Sequence, residues 1–474
     1  MNTRIVSALV FAGLCGCTVP DAIEAQKSVK DKGEGIIAEF GLPTLNLRTY
    51  SLEALVAYAM TNHPSVTSAR LQVQDARLAL KALAADAPII SSTPWTAPNL
   101  SLGAGYSEAS EPVVANEWDG RTTPGDPTAS LSLDLLLWDF GRYDARSSQQ
   151  AELVTAAELA LANAGFAVFY DVSSAYFTFL ERRSLREVAE TNFVNYADHL
   201  ARAEAQLGAG EANKLDVLRA RLDMAQARQA LVSASNNVET AGAALMNALG
   251  IDASKGTASS VFGDERIGID SVQRGFDRSV CDVDSAFAFA RTNAPTMKIN
   301  RARLRASSHA VDFAMRDLLP SVSASASLNW TDPFWFWRWG LNVSQNLFQG
   351  FRKTTAVDQA VVAMKKAETE VDAAEQALSV DLETAIANRD NSVSAVASAM
   401  ASVKSARENL DMINEQLSLG DVSRIELSEA IYAFSKATGD AIMAFYDGQR
   451  AEARLFVLLG KYPVYHEEVL RGQK

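Results

Sequence analysis

Cysteine, histidine and clustered basic residues are scarce in this chain of 474 residues, and each scarcity excludes something. The 4 histidines (His63, His199, His309, His466) are scattered without metal-ligand spacing. No phosphate loop, nucleophile elbow or zinc signature occurs. The expectation is a protein that is not an enzyme and carries no cofactor and no metal. The formal net charge of −13 argues against a nucleic-acid partner, because phosphate binding needs clustered Lys and Arg. The one basic run, Arg301, Arg303 and Arg305, reads as the solvated face of a helix.

Proline and glycine are also missing where they would break a helix. Between Gly141 and Gly210 only Gly165 and Gly208 intervene, with no proline, and the interior of Gly350 to Gly420 has neither residue. At ~1.5 Å per residue, a helix of that length runs about 100 Å. The apolar positions agree: Val403, Ala406, Leu410, Ile413 and Leu417 step by three and four, as do Phe169, Val172, Tyr176 and Phe179. The chain therefore builds two long, alanine-rich, coiled-coil-like helices.

These two stretches belong to an internal duplication. Thr61-Asn62-His63-Pro64 recurs as Thr292-Asn293-Ala294-Pro295, and Pro88 as Pro320. Gly141 is matched to Gly350, Gly210 to Gly420, and Leu249-Gly250 to Leu459-Gly460. The offset drops from 232 to 209 between Pro88 and Gly141, which assigns the extra residues Ser107 to Thr128 to a loop. The expected organisation is a leader at 1–16, a linker at 17–50, repeat 1 at 51–250, an inter-repeat segment at 251–283, repeat 2 at 284–460 and a tail at 461–474. Repeat 1 holds a strand hairpin about 98–138, a long helix about 141–208 and a helix about 211–249. Repeat 2 holds a hairpin about 320–348, a long helix about 351–419 and a helix about 421–459.

The hairpins alternate strictly. Leu100, Leu102, Ala104 and Tyr106 alternate with Ser101, Gly103 and Gly105, and Leu131, Leu133, Leu135 and Leu137 with Ser132, Asp134 and Leu136. In repeat 2, Val322 to Trp330 alternates with Ser323, Ser325, Ser327 and Asn329, and Trp337 to Val343 with Arg338, Gly340 and Asn342. Four strands of this length suit tilted membrane strands with lipid on one face and water on the other. All 7 tryptophans fall in the strand regions, as expected at membrane interfaces. The alternative is a sandwich core of stacked aromatics. Four strands cannot close a membrane barrel, because an open edge in lipid leaves backbone groups unpaired, so spanning strands demand several chains.

At the N-terminus, Arg4 precedes an apolar run from Ile5 to Leu14 that is too short for a permanent anchor. It ends in Leu14-Cys15-Gly16-Cys17, which resembles the bacterial lipobox, in which the last cysteine becomes acylated. Thr18 rather than Asp follows, which in lipoproteins implies passage to the outer membrane. The alternative is an ordinary signal peptide with Cys17 a bystander. If Cys17 is acylated, Cys281 has no partner and the fold holds by packing alone.

A motif occurs twice after the long helices. Gly210, Leu215, Asp216 and Ala220 share their spacing with Gly420, Ile425, Glu426 and Ala430. With the duplicated architecture, this motif resembles the TolC-like outer-membrane efflux proteins over nearly the whole mature length. The resemblance implies a mainly α fold with a β-barrel part: a homotrimer with four strands per chain in one shared 12-stranded barrel, and antiparallel helices forming a periplasmic α-barrel. It implies a passive exit duct of a tripartite efflux or type I secretion system, with a periplasmic adaptor, an inner-membrane transporter and outer-membrane lipid as partners. The two turns, Gly210, Leu215 and Ala220 with Gly420, Ile425 and Ala430, would dock the adaptor; the alternative is a purely structural helical hairpin packed by Leu207, Leu215 and Leu218 and by Leu417, Ile425 and Leu427. Glu426 and Glu429, with Asp216, would line the periplasmic aperture; the alternative is an acidic helix start favoured by the helix dipole. The family's best-known members carry Asp at the two glutamate positions. Their latching Tyr and Arg are replaced by Leu417 and Val422, with Arg424 a candidate substitute. A periplasmic scaffold or adaptor without a barrel is the competing function.

Overall fold

The structure, a computed structural model, describes residues 52–84, 87–88, 99–107, 126–210, 213–251, 283–331, 334–419 and 424–461. Repeat 1 runs α1 (Leu52–Asn62), α2 (Pro64–Ala84), β1 (Asn99–Ser107), β2 (Asp126–Trp138), α3 (Arg142–Ala209) and α4 (Lys214–Ala248). Repeat 2 follows with α5 (Val283–Asn293), α6 (Pro295–Arg316), β3 (Ser321–Thr331), β4 (Phe334–Ser344), α7 (Arg352–Leu419) and α8 (Arg424–Leu459). The long helices α3 and α7 have 68 residues each, about 100 Å of rod. Pro64 and Pro295 open α2 and α6, where a missing N–H costs nothing.

One layer of helices forms a wall. In the half nearer the strands its order is α2, α3, α6, α7, and in the far half it is α4, α3, α8, α7. The long helices run through both halves, while α4 takes over from α2 and α8 from α6. The handover is the tightest point in the fold. Gly250, just past α4, has φ +75°, and a Cβ there would sit 3.1 Å from Pro64 Cδ and 3.2 Å from His63 Cα. Gly460, just past α8, has φ +66°, and its Cβ would sit 2.9 Å from the Asn293 carbonyl oxygen. The two sequence repeats noted separately, the Asn-x-Pro turns and the Leu-Gly pairs, thus meet each other in space.

The core lies at these handovers and is itself duplicated. Leu55, Ala59, Val66, Val168, Val172, Leu245 and Leu249 are buried in repeat 1. Ala286, Ala290, Met297, Leu378, Leu382, Leu455 and Leu459 are buried at matching places in repeat 2 and form one cluster. Each large apolar side chain so buried contributes about 1.5–3 kcal/mol. The basic run on α6 is solvated at Arg303 and Arg305, as expected, but it also bridges the wall: Arg305 pairs with Glu152 on α3 at 3.0 Å, and Arg301 with Glu375 on α7 at 3.3 Å.

The four strands make one antiparallel sheet in the order β1-β2-β3-β4. Leu102, Leu131, Leu328 and Trp337 form one cross-strand row, and Ser101, Ser132, Ser327 and Arg338 the next. Period two therefore sorts most of the apolar residues of the four strands onto one face, while Leu136, Phe334 and Phe336 fall in the polar rows. That face is not a dry core: Leu102 is 66% exposed, Trp337 72% and Val343 71%.

Three expectations need correcting. The ladder includes Asp126 and Pro127, opposite Ser107 and Tyr106, so the loop after β1 ends sooner than Thr128, and residues 108–125 lie outside the described ones. A register shift between Leu136 and Trp138 sets Trp138, not Leu137, opposite Val322. The match of Gly141 to Gly350 is one residue out: α3 and α7 align at an offset of 210 at both ends. Each is preceded by two consecutive left-handed residues, Phe140 (φ +57°) and Gly141 (φ +79°) in one repeat, Gly350 (φ +60°) and Phe351 (φ +63°) in the other. The glycine and phenylalanine have exchanged places, which misled an alignment on glycine.

Candidate functional site

At the far end of the wall, α3 stops because Gly210 takes φ +78° and returns its N–H to the carbonyls of Gln206 and Leu207. Asn213 then caps α4: its side chain accepts from the Leu215 N–H, and Asp216 Oδ2 accepts from the Asn213 N–H, both at 3.4 Å. Asp216 thus has a structural task at this turn. Behind the turn, Ala203, Val217 and Ala220 form a small buried cluster with Leu200 against it. Glu204 and Arg221 bridge the hairpin at 2.7 Å.

The turn is therefore packed by small residues, not by the expected leucines. Leu207, Leu215 and Leu218 are exposed. The second turn follows the same plan where it is described. Leu427 and Ala430 are buried and Ile425 is exposed, matching Val217, Ala220 and Leu215. Gly420 and Val422 lie outside the described residues, as do Cys17 at the other end of the chain and the side chains of Leu417 and Arg424. Glu426 and Glu429 are both exposed on the first turns of α8. Of the residues expected to dock a partner, Leu215 and Ile425 are presented at the tip. Ala220 and Ala430 are withdrawn into it, because the hairpin needs small residues where its helices approach.

Side chains that the sequence reading missed tie the two hairpins together. Tyr196 on α3 donates to the Ser428 carbonyl on α8 at 3.5 Å, and the Ser428 hydroxyl donates to Asp223 Oδ2 on α4 at 3.4 Å. Asn192, one turn before Tyr196, donates to the Ser435 hydroxyl, seven residues after Ser428. Burial, reinforced by the Asp223 carboxylate, pushes the Tyr196 phenol up, against the opposing hydrogen bond at Ser428. The legible signal is spacing: four residues on α3 and seven on α8 each repeat along one helical face.

Farther along the wall, Glu181 on α3 is 3% exposed and accepts from Arg450 on α8 at 2.7 Å. Burial works against the Arg450 charge, but hydrogen bonds to Asp447 and Glu181 outweigh it and raise its affinity for the proton. Beside this pair, α7, α8 and Tyr170 of α3 line an open hollow of about 690 Å³ that includes Asn391, Asp440 and Arg454.

The joint between sheet and wall is the third polar centre. Asp139, buried, accepts from the Gly141 N–H at 3.1 Å and the Tyr143 N–H at 2.6 Å. Arg316 donates to the Gly141 carbonyl at 2.6 Å, while Asp317 takes Arg142 at 3.0 Å and Lys353 at 3.2 Å. Both repeats are locked at this level. Among the described residues no three His, Cys, Asp or Glu side chains stand close enough to hold a metal ion.

Comparison with known proteins accords with this arrangement. Residues 56–251 and 289–461 match the model of the family described as outer membrane efflux protein. The outer membrane efflux protein BepC of Brucella suis is 22% identical over 352 residues, 71% of this chain and 74% of its own. Among solved structures, the CmeC outer membrane channel of Campylobacter jejuni superposes with a TM-score of 0.74 at 15% identity, covering 89% of each chain. The MtrE outer membrane channel of Neisseria gonorrhoeae, in its open state, gives 0.71 at 16% identity over 86% of this chain and 89% of its own.

Proposed function

Because this chain belongs to the outer membrane efflux protein family and serves as an outer-membrane exit channel for efflux, we propose that three copies build the channel, with four strands from each closing one 12-stranded barrel. The observation that carries this reading is the sheet: an exposed apolar face and two edges, β1 and β4, that are unpaired among the described residues, which lipid would not tolerate in a single chain. Four antiparallel strands leave β1 and β4 running in opposite directions, so β4 of one chain continues the antiparallel ladder onto β1 of the next. The wall supports the same closure. Its lateral edges, α4 and α7, carry exposed Leu218, Leu222 and Val232 on one side and Val362, Val380, Met400 and Met412 on the other. Exposed apolar stripes on both edges suit burial against neighbouring copies.

In this assembly the apolar face of the sheet meets lipid and the Ser-rich face lines water. The helices form a periplasmic duct whose tips present Leu215 and Ile425 to an adaptor, with Gly210 and Gly420 setting the turns. An inner-membrane transporter drives the flux, and the duct itself is passive. Glu426 and Glu429 from three chains surround the aperture and favour cations there, while Asp216 stands at the neighbouring turn and holds it in shape. Acylation of Cys17 anchors the N-terminus, and its loss in Cys17→Ala should remove the fatty-acyl mass from the mature protein.

The test of the assembly is electrophoretic and functional. The protein should require detergent after removal of residues 1–17 and should run as an SDS-resistant trimer that heat converts to monomer. A soluble monomer that needs no detergent would end the barrel reading. Glu426→Gln with Glu429→Gln should lower cation preference in planar bilayers, and unchanged selectivity would dismiss the acidic aperture.

A further inference from the structure

We propose that the strand-lined part of the duct carries a charge filter of its own, made by Arg338 on β4 and Asp134 on β2, and that Arg338 is the station for anionic groups on solutes leaving through it. This rests on the reading above that the polar face of the sheet is the lumen.

All four strands are paired from the row Asn99, Asp134, Ser325, Gly340 to the row Gly105, Thr128, Thr331, Phe334. Within that span Asp134 and Arg338 are the only charged residues, and both belong to the polar face. Asp134 stands between Asn99 and Ser325, and Arg338 opposite Ser327, in adjacent polar rows. Both side chains are exposed, and among the described residues neither has an ion pair. The same-face neighbours along each strand, Ser132 and Leu136 for Asp134 and Phe336 and Gly340 for Arg338, are all neutral, so neither charge is countered on its own strand. A lone charge on the lipid face would cost about 2–4 kcal/mol at mid-membrane, which is avoided on a watered face.

Geometry makes the two charges separable. They are two strands and one row apart, about 12 Å by strand spacings. That exceeds the screening length of ~10 Å at 0.1 M salt but falls well inside the ~30 Å at 0.01 M. At moderate salt a passing ion meets an acidic and a basic station in turn. At low salt it meets a nearly neutral pair. The chemistry also differs: the guanidinium offers a planar fork of donors suited to carboxylate, sulfonate or phosphate groups. An acidic aperture alone would discriminate against such solutes, and Arg338 offers them a contact within the membrane.

The test uses full-length protein in planar bilayers under a KCl gradient, with reversal potential as the readout. Arg338→Gln should shift the cation-to-anion permeability ratio about twofold toward cations at 0.1 M and further at 0.01 M, from the Coulomb and screening relations. Asp134→Asn should shift it the other way, and the double variant should return close to the parent. Conducting channels with unchanged ratios in both single variants would overturn the proposal. A second measurement separates this failure from failure of the barrel itself. With Cys281 replaced by Ser, Arg338→Cys should react with a charged thiol reagent from water, whereas Trp339→Cys in lipid should not. Equal labelling at the two positions would overturn the lumen assignment and this filter with it.

Discussion

Residues 142–209 and 352–419 form helices of equal length, yet the pairs leading into them are reversed, Phe140-Gly141 in repeat 1 and Gly350-Phe351 in repeat 2. At the handover turns the repeats do not differ: Gly250 and Gly460 hold the same place. The contrast separates two reasons for glycine. At the joints the backbone needs positive φ, which a phenylalanine can adopt at about 1–2 kcal/mol. Gly350 has nothing within 4 Å of where a Cβ would be, and at Gly141 the near atom, Arg316 Nη1 at 2.6 Å, is the end of a flexible side chain rather than backbone. At the handovers positive φ coincides with a neighbouring chain segment at contact distance, and no side chain fits. Strain was tolerated in exchange; lack of space was not.

A second contrast concerns the seams of the wall. Glu181 and Arg450 join repeat 1 to repeat 2 through α3 and α8. At the offset of 210 their counterparts are Asn391 on α7 and Thr240 on α4, neutral residues on helices at opposite edges of the wall. In the proposed trimer those edges form the seam between chains, so the ionic pair inside the chain has neutral residues at the equivalent positions.

The largest expected effect breaks that difference. Glu181→Ala removes the buried partner of Arg450, leaving it only the exposed Asp447 at 2.5 Å as an acidic partner, and should destabilise the detergent-solubilised protein by about 3–4 kcal/mol, read as a lowered thermal midpoint. Asn391→Ala should cost far less. Combining Glu181→Asn with Arg450→Thr, which copies the other seam, should recover most of the loss. Next come the handovers. Gly460→Ala should cost about 3 kcal/mol and Gly250→Ala about 2, because the first drives a Cβ against a carbonyl oxygen and the second against more yielding carbon atoms. Equal midpoints for these two variants would remove steric crowding from the explanation.

Smaller effects sharpen the picture at the joints and tip. Asp216→Ala should cost about 1 kcal/mol through the lost capping box, and fraying should appear as faster amide exchange confined to the start of α4. Phe351→Gly should raise the midpoint, relieving about 1 kcal/mol of left-handed strain. Phe140→Gly should gain less, because the half-buried Phe140 ring stacks on Trp138 at 4.1 Å, whereas the exposed Phe351 ring makes an edge contact with Phe348 at 5.5 Å. Similar gains for both phenylalanines would show that the stack contributes little.

Much of this molecule could be read from residue order alone. The absence of proline and scarcity of glycine over two long stretches leave little but helix, and strict alternation with Ser and Gly leaves little but strand. Those patterns are local, set by backbone sterics and by which face must meet water, so they survive without knowledge of the partners. The repeated Gly-x-x-x-x-Leu/Ile-acid spacing likewise located both tips. What it could not tell was which tip residues point outward: Leu215 and Ile425 do, while Ala220 and Ala430 turn inward, because that depends on how closely two helices approach.

The remainder was decided by contacts between segments far apart in the chain. The pairing of Tyr196 with Ser428, Glu181 with Arg450, and Gly460 with the Asn293 turn has no local cause. Each follows from the rotation and stagger of one helix against another, which core side chains such as Leu382 and Leu455 set by packing. Sequence determined the rods, the ribbons and their two faces, since periodicity acts within a few residues. Tertiary structure decided the one-residue shift at the joints and the charged seam, since those depend on where separate rods come to rest.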